Sequence, residues 1–565
     1  MKQIIECVPN FSEGNDRNII KKITDQIEAV EGVKLIDVDP GKATNRTVVT
    51  FVGSPATVCE AAFQAVKKAS ELIDMRKHKG EHPRFGATDV LPLVPVSNIS
   101  MEETVSYARK LAERIGKELG IPVYCYEFAA TEEKRRNLAN CRSGEYEGLP
   151  EKLASADWQP DFGPAEFTES VSHTGATAVS ARNFLIAYNI NLNTTSTRRA
   201  NALAFDIREK GRVKRESEKL SGNIIKDKNG NPEYEPGMLK CVKGIGWYIE
   251  EYGIAQLSFN LTDITVTSMH QVFEAACQCA EARGLRVTGS ELVGVIPLQA
   301  MLDAGKYFLK KQQRSAGIPD KEILKIAVKS LGLDDLGPFE PEKKIIEYLL
   351  ADSQSGKLIH MNLRQFSEET ASESPAPGGG SISAYMGALG VALGTMVANL
   401  SAHKRGWDER WKEFSNWAEK GKQYHDQLVK LVDEDTLAFN SIMDAFGLPK
   451  KTDSDKKTRT AAIMEATRYA IEVPFKVMKL SYESMEVMKA MVEIGNPNSV
   501  TDAGVGALAA RSAVLGAYLN VKINASGYSD TAWADKILNE GEKIKENAIA
   551  AEQEILQLVE SKINK

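Results

Sequence analysis

The sequence predicts a multidomain chain in which two α/β subdomains of the split βαβ, ferredoxin-like kind precede an all-α helical-bundle domain. Three observations point there. The chain has 565 residues, too many for one core, and about 150 residues per domain suggests three or four domains. All seven cysteines lie between Cys7 and Cys279, while only Pro449, Pro474 and Pro497 of the 21 prolines follow residue 380. Proline is excluded from helix interiors, so the back half reads as helical. Finally, the element order β-α-β-β-α-β occurs twice in the front half, without a sequence repeat.

In the first series QIIECV reads as a strand, and Arg17 to Val30 has helical spacing through Ile19, Ile20, Ile23 and Ile27. VKLIDV and RTVVTFV are strands rich in β-branched residues. Pro55 opens a helix to about Ile73, as proline can in a first turn. LPLVPV is a strand, Met101 to Leu119 a helix stopped by Gly120, and PVYCYEF a further strand. The second series runs from NFLIAYNINL through a helix at 195–209. A strand pair follows around Tyr252-Gly253, then a helix from Met269 to Arg283 and the strand ELVGVIPL. Expected boundaries are 1–181 and 182–327 for the subdomains, 328–357 for a helical connector and 358–565 for the bundle. The bundle pattern comprises helices at 382–402, 407–446, 456–495, 499–525 and 531–561. In VKLVDEDTLAF and its continuation, Val429, Val432, Ala438 and Ile442 fall near one helix face.

A formal charge of −6 argues against general nucleic-acid binding, which calls for a basic surplus. The N-terminus lacks the apolar run of a signal peptide, and the longest apolar runs are shorter than a membrane span. No Cys/His set has metal-ligand spacing, so no metal is expected, and reduced thiols suit a cytoplasmic protein.

Six segments can carry chemistry. KHKGEHPRFGATD, residues 77–89, puts His78 and His82 on a loop among Lys77, Lys79 and Arg84; a histidine there can shuttle protons near neutral pH. The plainer reading is a solvated basic loop. Asp37 and Asp39 end a strand, where a carboxylate can orient a histidine or simply begin a turn. Residues 161–182, ending in Arg182, hold glycines and small hydroxyl residues that can wrap a flat ligand or link subdomains. PAPGGGS leads into a helix, and Gly378, Gly379 and Gly380 allow close approach of an anion, unless they are only a linker. In Asp433-Glu434-Asp435, the two aspartates diverge by roughly 200° on a helix, so only one can face a given site. An inward one would be a buried acid with a raised pKa, an outward run merely a solvated face. GNPNSVTDAGVGA, residues 495–507, is a polar turn between helices that can line a pocket.

Together these segments resemble one family. CVPNFSEG, HPRFGATD and the GP…GAT stretch at 163–177 look like glutamate formimidoyltransferase; PAPGGGS, LVDEDTLAF and GNPNSVTDAGVGA look like formimidoyltetrahydrofolate cyclodeaminase. Their order matches the bifunctional formimidoyltransferase-cyclodeaminases over nearly the whole chain. The resemblance implies transfer of a formimino group from N-formimino-L-glutamate to tetrahydrofolate, the co-substrate, preferably polyglutamylated. Cyclisation to 5,10-methenyltetrahydrofolate with ammonia release then follows. It also implies a homo-octamer. By resemblance His82 is the transferase acid-base residue, Asp39 its neighbour and Asp435 the cyclodeaminase catalytic aspartate. The folate stretch includes Gly163, Pro164, Gly175, Ala176 and Thr177, with Arg182 just after it. Arg46 or Arg84 is expected to grip the glutamate carboxylates, since a guanidinium pairs bidentately with carboxylate. Two rivals stand beside this reading: methenyltetrahydrofolate cyclohydrolase activity in the C-terminal domain, or a non-catalytic folate-binding scaffold.

Overall fold

The computed structural model describes residues 3–41, 45–80, 84–216, 222–350 and 358–564. Contacts divide the chain into two compact units, one of residues 1–304 with 328–351, the other of 305–327 with 352–565.

The first sheet contains β1 (Ile4–Cys7), β2 (Asn10–Phe11), β3 (Val33–Gly41), β4 (Arg46–Gly53), β5 (Thr88–Ser97), β6 (Val123–Glu127) and β7 (Thr177–Ala181). Its order is β3-β4-β1-β5, with β2 continuing β1 between β4 and β5, and β7 then β6 beyond β5. The first four positions are the expected split βαβ arrangement. The sheet is larger than that expectation, because β7 enters parallel between β5 and β6. Helices α1 (Arg17–Glu28), α2 (Pro55–Leu72) and α3 (Met101–Leu119) cover one face, burying Ile5, Cys7, Phe51, Leu93, Val123 and Val179. Ser100 closes a capping box at the start of α3, and Gly120 at φ 64° ends it, a left-handed cap that glycine adopts without strain. Part of the other face is covered by the 138–154 segment, through Tyr124, Cys141, Leu149 and Ala178. Alternation along each strand therefore sends Glu6, Tyr126 and Ser180 away from the three helices.

The second sheet is built from Ile186–Leu192, Val242–Ile249, Ile254–Leu261 and Val287–Val293, all antiparallel. The first strand pairs with the third and fourth, again the split βαβ order. Residues 328–350, expected as a connector, pack against this sheet. Ser290 N–H donates to Gly332 O at 2.8 Å, and Asn191 Nδ2 donates to Asp335 Oδ2 at 2.9 Å.

The second unit is a bundle of Gly379–Ala402, Trp411–Gly447, Asp453–Ile494, Val500–Ala525 and Thr531–Ile563. Residues 305–327 belong to it. Gly317 lies so close to Ala418 that a Cβ would sit 2.2 Å from its carbonyl carbon. Helices Gly379–Ala402 and Pro497–Ala525 are long and apolar enough to cross a membrane by length and composition alone. Here they cross each other at Gly390 and Gly506, where the missing side chains let the backbones meet. The expected apolar face is present: Val432 and Ala438 are buried, and Val429 and Ile442 pack against that core. The 495–507 turn does not line the Asp435 pocket described below, which is formed at the far end of the Val500–Ala525 helix. Its glycines serve helix crossing instead. From Val500 to Asn520 the helix rises roughly 30 Å.

Candidate active sites

In the α/β unit three sequence segments converge. Ser12 donates through Oγ to Gly86 O at 2.7 Å, tying CVPNFSEG to HPRFGATD. Asn45 accepts at Oδ1 from Gly14 N–H at 3.0 Å and donates through Nδ2 to Lys79 O at 2.9 Å. Gly14 is required, since a Cβ there would lie 2.3 Å from Gly41 O. His82 lies outside the described residues; what surrounds its loop is a network centred on Arg84. That guanidinium donates to both carboxylate oxygens of Glu147, at 2.9 and 2.7 Å, and to Glu145 at 3.2 Å. Its Nε–H donates to His78 Nδ1 at 3.2 Å, leaving His78 Nε2–H to donate to Asn45 O at 2.8 Å. Accepting at Nδ1 requires neutral imidazole, and burial likewise holds the His78 pKa below its ordinary value. An open cleft of about 530 Å³ lies against Lys79, Gly80, Arg84, Gly144, Glu145 and Glu147.

Asp39 is exposed on β3, opposite Val48. Arg46 starts β4, where burial lowers its pKa while the nearby Asp89 acts in the opposite direction. Asp89 is fully buried, accepts from Phe85 N–H at 3.1 Å and pairs with Arg142 at 2.8 Å. Both candidate carboxylate grips, Arg46 and Arg84, thus already face carboxylates of the protein itself.

The 163–177 stretch divides in two. Gly163 is exposed and Pro164 half-buried; Gly163, at φ 86°, rests against Ile121 O, 2.2 Å from where its Cβ would be. Gly175, at φ 67°, rests against Phe85 O at 2.3 Å by the same measure. Ala176 and Thr177 are buried, their amides donating to Phe85 O and Pro122 O at 2.9 Å. These glycines and amides serve the protein's own backbone, and Thr177 opens β7 rather than a wrapping loop. Arg182 follows that strand. Its charge acts on Glu6, whose carboxyl is pushed up by burial to about 7.

In the helical unit the acidic triplet splits three ways. Asp433 accepts from Leu358 N–H at 3.0 Å, and Glu434 accepts from Tyr469 OH at 3.0 Å. Asp435 points to the start of the Gly379–Ala402 helix, accepting at Oδ2 from Ser381 N–H at 2.9 Å and Ser381 Oγ at 3.2 Å. A Cβ on Gly380 would lie 2.0 Å from Asp435 Oδ1. The glycine cradle therefore holds the protein's own carboxyl group. Burial raises the Asp435 pKa, and the two Ser381 bonds offset only part of that rise. Asp435 lines a cavity of about 120 Å³ with Gly378, Gly379, Thr436, Phe439, Asn520 and Asn524. Sequence reasoning missed Glu147 and the two asparagines. Asn520 and Asn524, polar and one turn apart in an apolar helix, were the available signal. Among the described residues no cluster of three potential metal ligands occurs.

An α/β unit with two split βαβ sheets and a helical unit with its own cavity-facing acid define a two-centre group-transfer enzyme. Residues 4–182 match the formiminotransferase domain, N-terminal subdomain; 187–351 the formiminotransferase domain; and 362–543 the formiminotransferase-cyclodeaminase model. The formimidoyltransferase-cyclodeaminase of Rattus norvegicus is 42% identical over 537 residues, 95% of each chain. The glutamate formimidoyltransferase of Streptococcus pyogenes is 40% identical over 55% of this chain and 94% of its own. The methenyltetrahydrofolate cyclohydrolase of Methylorubrum extorquens is 37% identical over 36% of this chain and 97% of its own. The chain belongs to the formimidoyltransferase-cyclodeaminase family.

Proposed function

We propose that the α/β unit transfers the formimino group of N-formimino-L-glutamate to tetrahydrofolate. The helical unit then cyclises 5-formiminotetrahydrofolate to 5,10-methenyltetrahydrofolate, releasing ammonia. The observation that carries the second half is Asp435, a half-buried carboxyl aimed into a cavity with no other charged side chain on its described wall. In that reaction the 10-nitrogen attacks the formimino carbon and loses its proton. The formimino group enters protonated, as an amidinium whose nitrogen already carries two hydrogens; that nitrogen gains one more proton and leaves as ammonia. One carboxyl placed beside both nitrogens can accept the first proton and donate the second.

For transfer, the 5-nitrogen of folate attacks the amidine carbon, and the glutamate amine departs after protonation. His82 serves as the proton carrier and Asp39 as its orienting partner in this reading. His78, Arg84 and Glu147 hold the described residues on either side of 81–83, making them positioning residues. Folate contacts fall to the exposed 163–170 loop and Arg182, because 174–181 is committed to the sheet. A polyglutamylated co-substrate, a homo-octameric assembly and a cytoplasmic site complete the proposal.

The similarity to a cyclohydrolase favours a second reading of the helical unit, hydrolysis of the methenyl bridge. Supplying the full chain with 5-formiminotetrahydrofolate and measuring ammonia separates the two. Stoichiometric ammonia supports cyclodeamination; no ammonia from that substrate, with loss of the methenyl chromophore when 5,10-methenyltetrahydrofolate is supplied instead, supports hydrolysis.

A further inference from the structure

Asn520 and Asn524 stand one turn apart on the Val500–Ala525 helix and share the cavity of Asp435. Their amide orientations are fixed by their partners. Asn520 Nδ2 donates to Gly516 O at 2.9 Å, and Asn524 Nδ2 donates to Ala470 O at 2.7 Å. A carbonyl only accepts, so the nitrogen of each carboxamide must face it, and a flip would set oxygen against oxygen. Each side chain is left with an Oδ1 to which no described donor is bonded. Asn520 also borders the glycine cradle: its Nδ2 and Oδ1 are 3.2 and 3.6 Å from the place a Cβ on Gly379 would occupy. The cavity is thus rich in acceptors, two carboxamide oxygens and one carboxyl, with no cationic side chain lining it.

We infer that Asn520 and Asn524 are the specificity residues of this centre, accepting N–H bonds from the protonated formimino group beside Asp435. The inference rests on the cyclodeaminase reading above. A formimino group carries N–H donors where a formyl group carries an oxygen. Two acceptor oxygens favour the first and repel the second, and a buried acceptor left unpaired is a strong source of discrimination. The bonds also keep the departing nitrogen near Asp435 while it gains its proton.

Asn520 is the cleaner test, because its Nδ2 bond stays within its own helix, whereas Asn524 also ties that helix to Ala470. The full chain with Asn520→Leu is compared with wild type in three measurements. These are kcat/KM for ammonia release from 5-formiminotetrahydrofolate, the inhibition constant of 5-formyltetrahydrofolate in that assay, and the melting temperature. The expected result is a loss of about tenfold or more in kcat/KM, corresponding to at least ~1.4 kcal/mol. The formyl compound should bind unchanged or tighter, at an unchanged melting temperature. Unchanged kcat/KM, or an equal loss for both ligands, would overturn the inference. If the variant unfolds, Asn520→Asp decides: retained ammonia release with weaker formyl binding supports the assignment, and unchanged discrimination rejects it. Wild type that releases no ammonia would instead refute the underlying reading.

Discussion

Asp435 accepts a hydrogen bond from the Ser381 amide at 2.9 Å, and the approach is possible only because residue 380 has no side chain. A methyl group there would meet the carboxylate at 2.0 Å, closer than atoms can pack. Gly380→Ala must therefore displace either Asp435 or the helix start. Displacements of this kind cost on the order of 10² in rate. Ammonia release should fall by about that factor while formimino transfer by the α/β unit persists. Retained ammonia release would show that Asp435 acts elsewhere.

Asp435→Asn keeps the size and the acceptor facing Ser381 but removes the titration. The sign follows from the raised pKa. The folded state pays for ionising this carboxyl, so its contribution to wild-type stability worsens as pH rises from 3.8 through the raised value. The variant should melt higher than wild type near neutral pH, with the gap closing as pH falls. Melting curves across pH, alongside lost ammonia release, check both halves; a gap that widens on acidification would reverse the argument.

Glu6 obeys the same logic in the other unit. Burial raises its carboxyl from 4.5 to about 7, so stability is lost as pH rises through that interval and stays lost above it. Glu6→Gln should be neutral below pH 4.5 and stabilising at pH 8, by on the order of 3 kcal/mol at most. Denaturant titrations at the two pH values measure it. Destabilisation at pH 8 would mean that the ionised form is held by Arg182.

Arg84 distinguishes a grip on substrate from a clamp on the loop. The side chain is buried, but Glu145 and Glu147 are exposed, so solvent screens the pair. Arg84→Ala should cost about 1–2 kcal/mol of stability and lower kcat for transfer more than it raises KM for formiminoglutamate. Arg84→Lys should not rescue, because an ammonium cannot reproduce the fork to Glu147. A KM effect alone would restore the grip.

The fold was legible where one element decides its own form. Ser100 and Gly120 bound α3 as their capping chemistry requires, and the β-branched runs VKLIDV and RTVVTFV became β3 and β4. It was less legible where partners are distant. TAVSA is a buried parallel strand, yet its preceding GAT looked like a ligand loop, because sequence does not tell that Gly175 makes room for Phe85 O. The roles of arginines were hidden for the same reason: a guanidinium's partner at 147 cannot be read from residue 84. For the acidic triplet, helix geometry said only that Asp433 and Asp435 cannot both face one site, and the resemblance chose Asp435. Its acceptor companions at 520 and 524 depend on a crossing that only the folded bundle sets.

The central claim is that one chain holds two separable centres. It is tested most directly by mixing the full chain with formiminoglutamate and tetrahydrofolate, then following ammonia and the methenyl chromophore. The account predicts that His82→Ala stops product formation from this mixture but still releases ammonia from supplied 5-formiminotetrahydrofolate. Asp435→Ala should consume formiminoglutamate and accumulate 5-formiminotetrahydrofolate without ammonia. Either variant retaining full activity in its own half-reaction, or abolishing both, would contradict it.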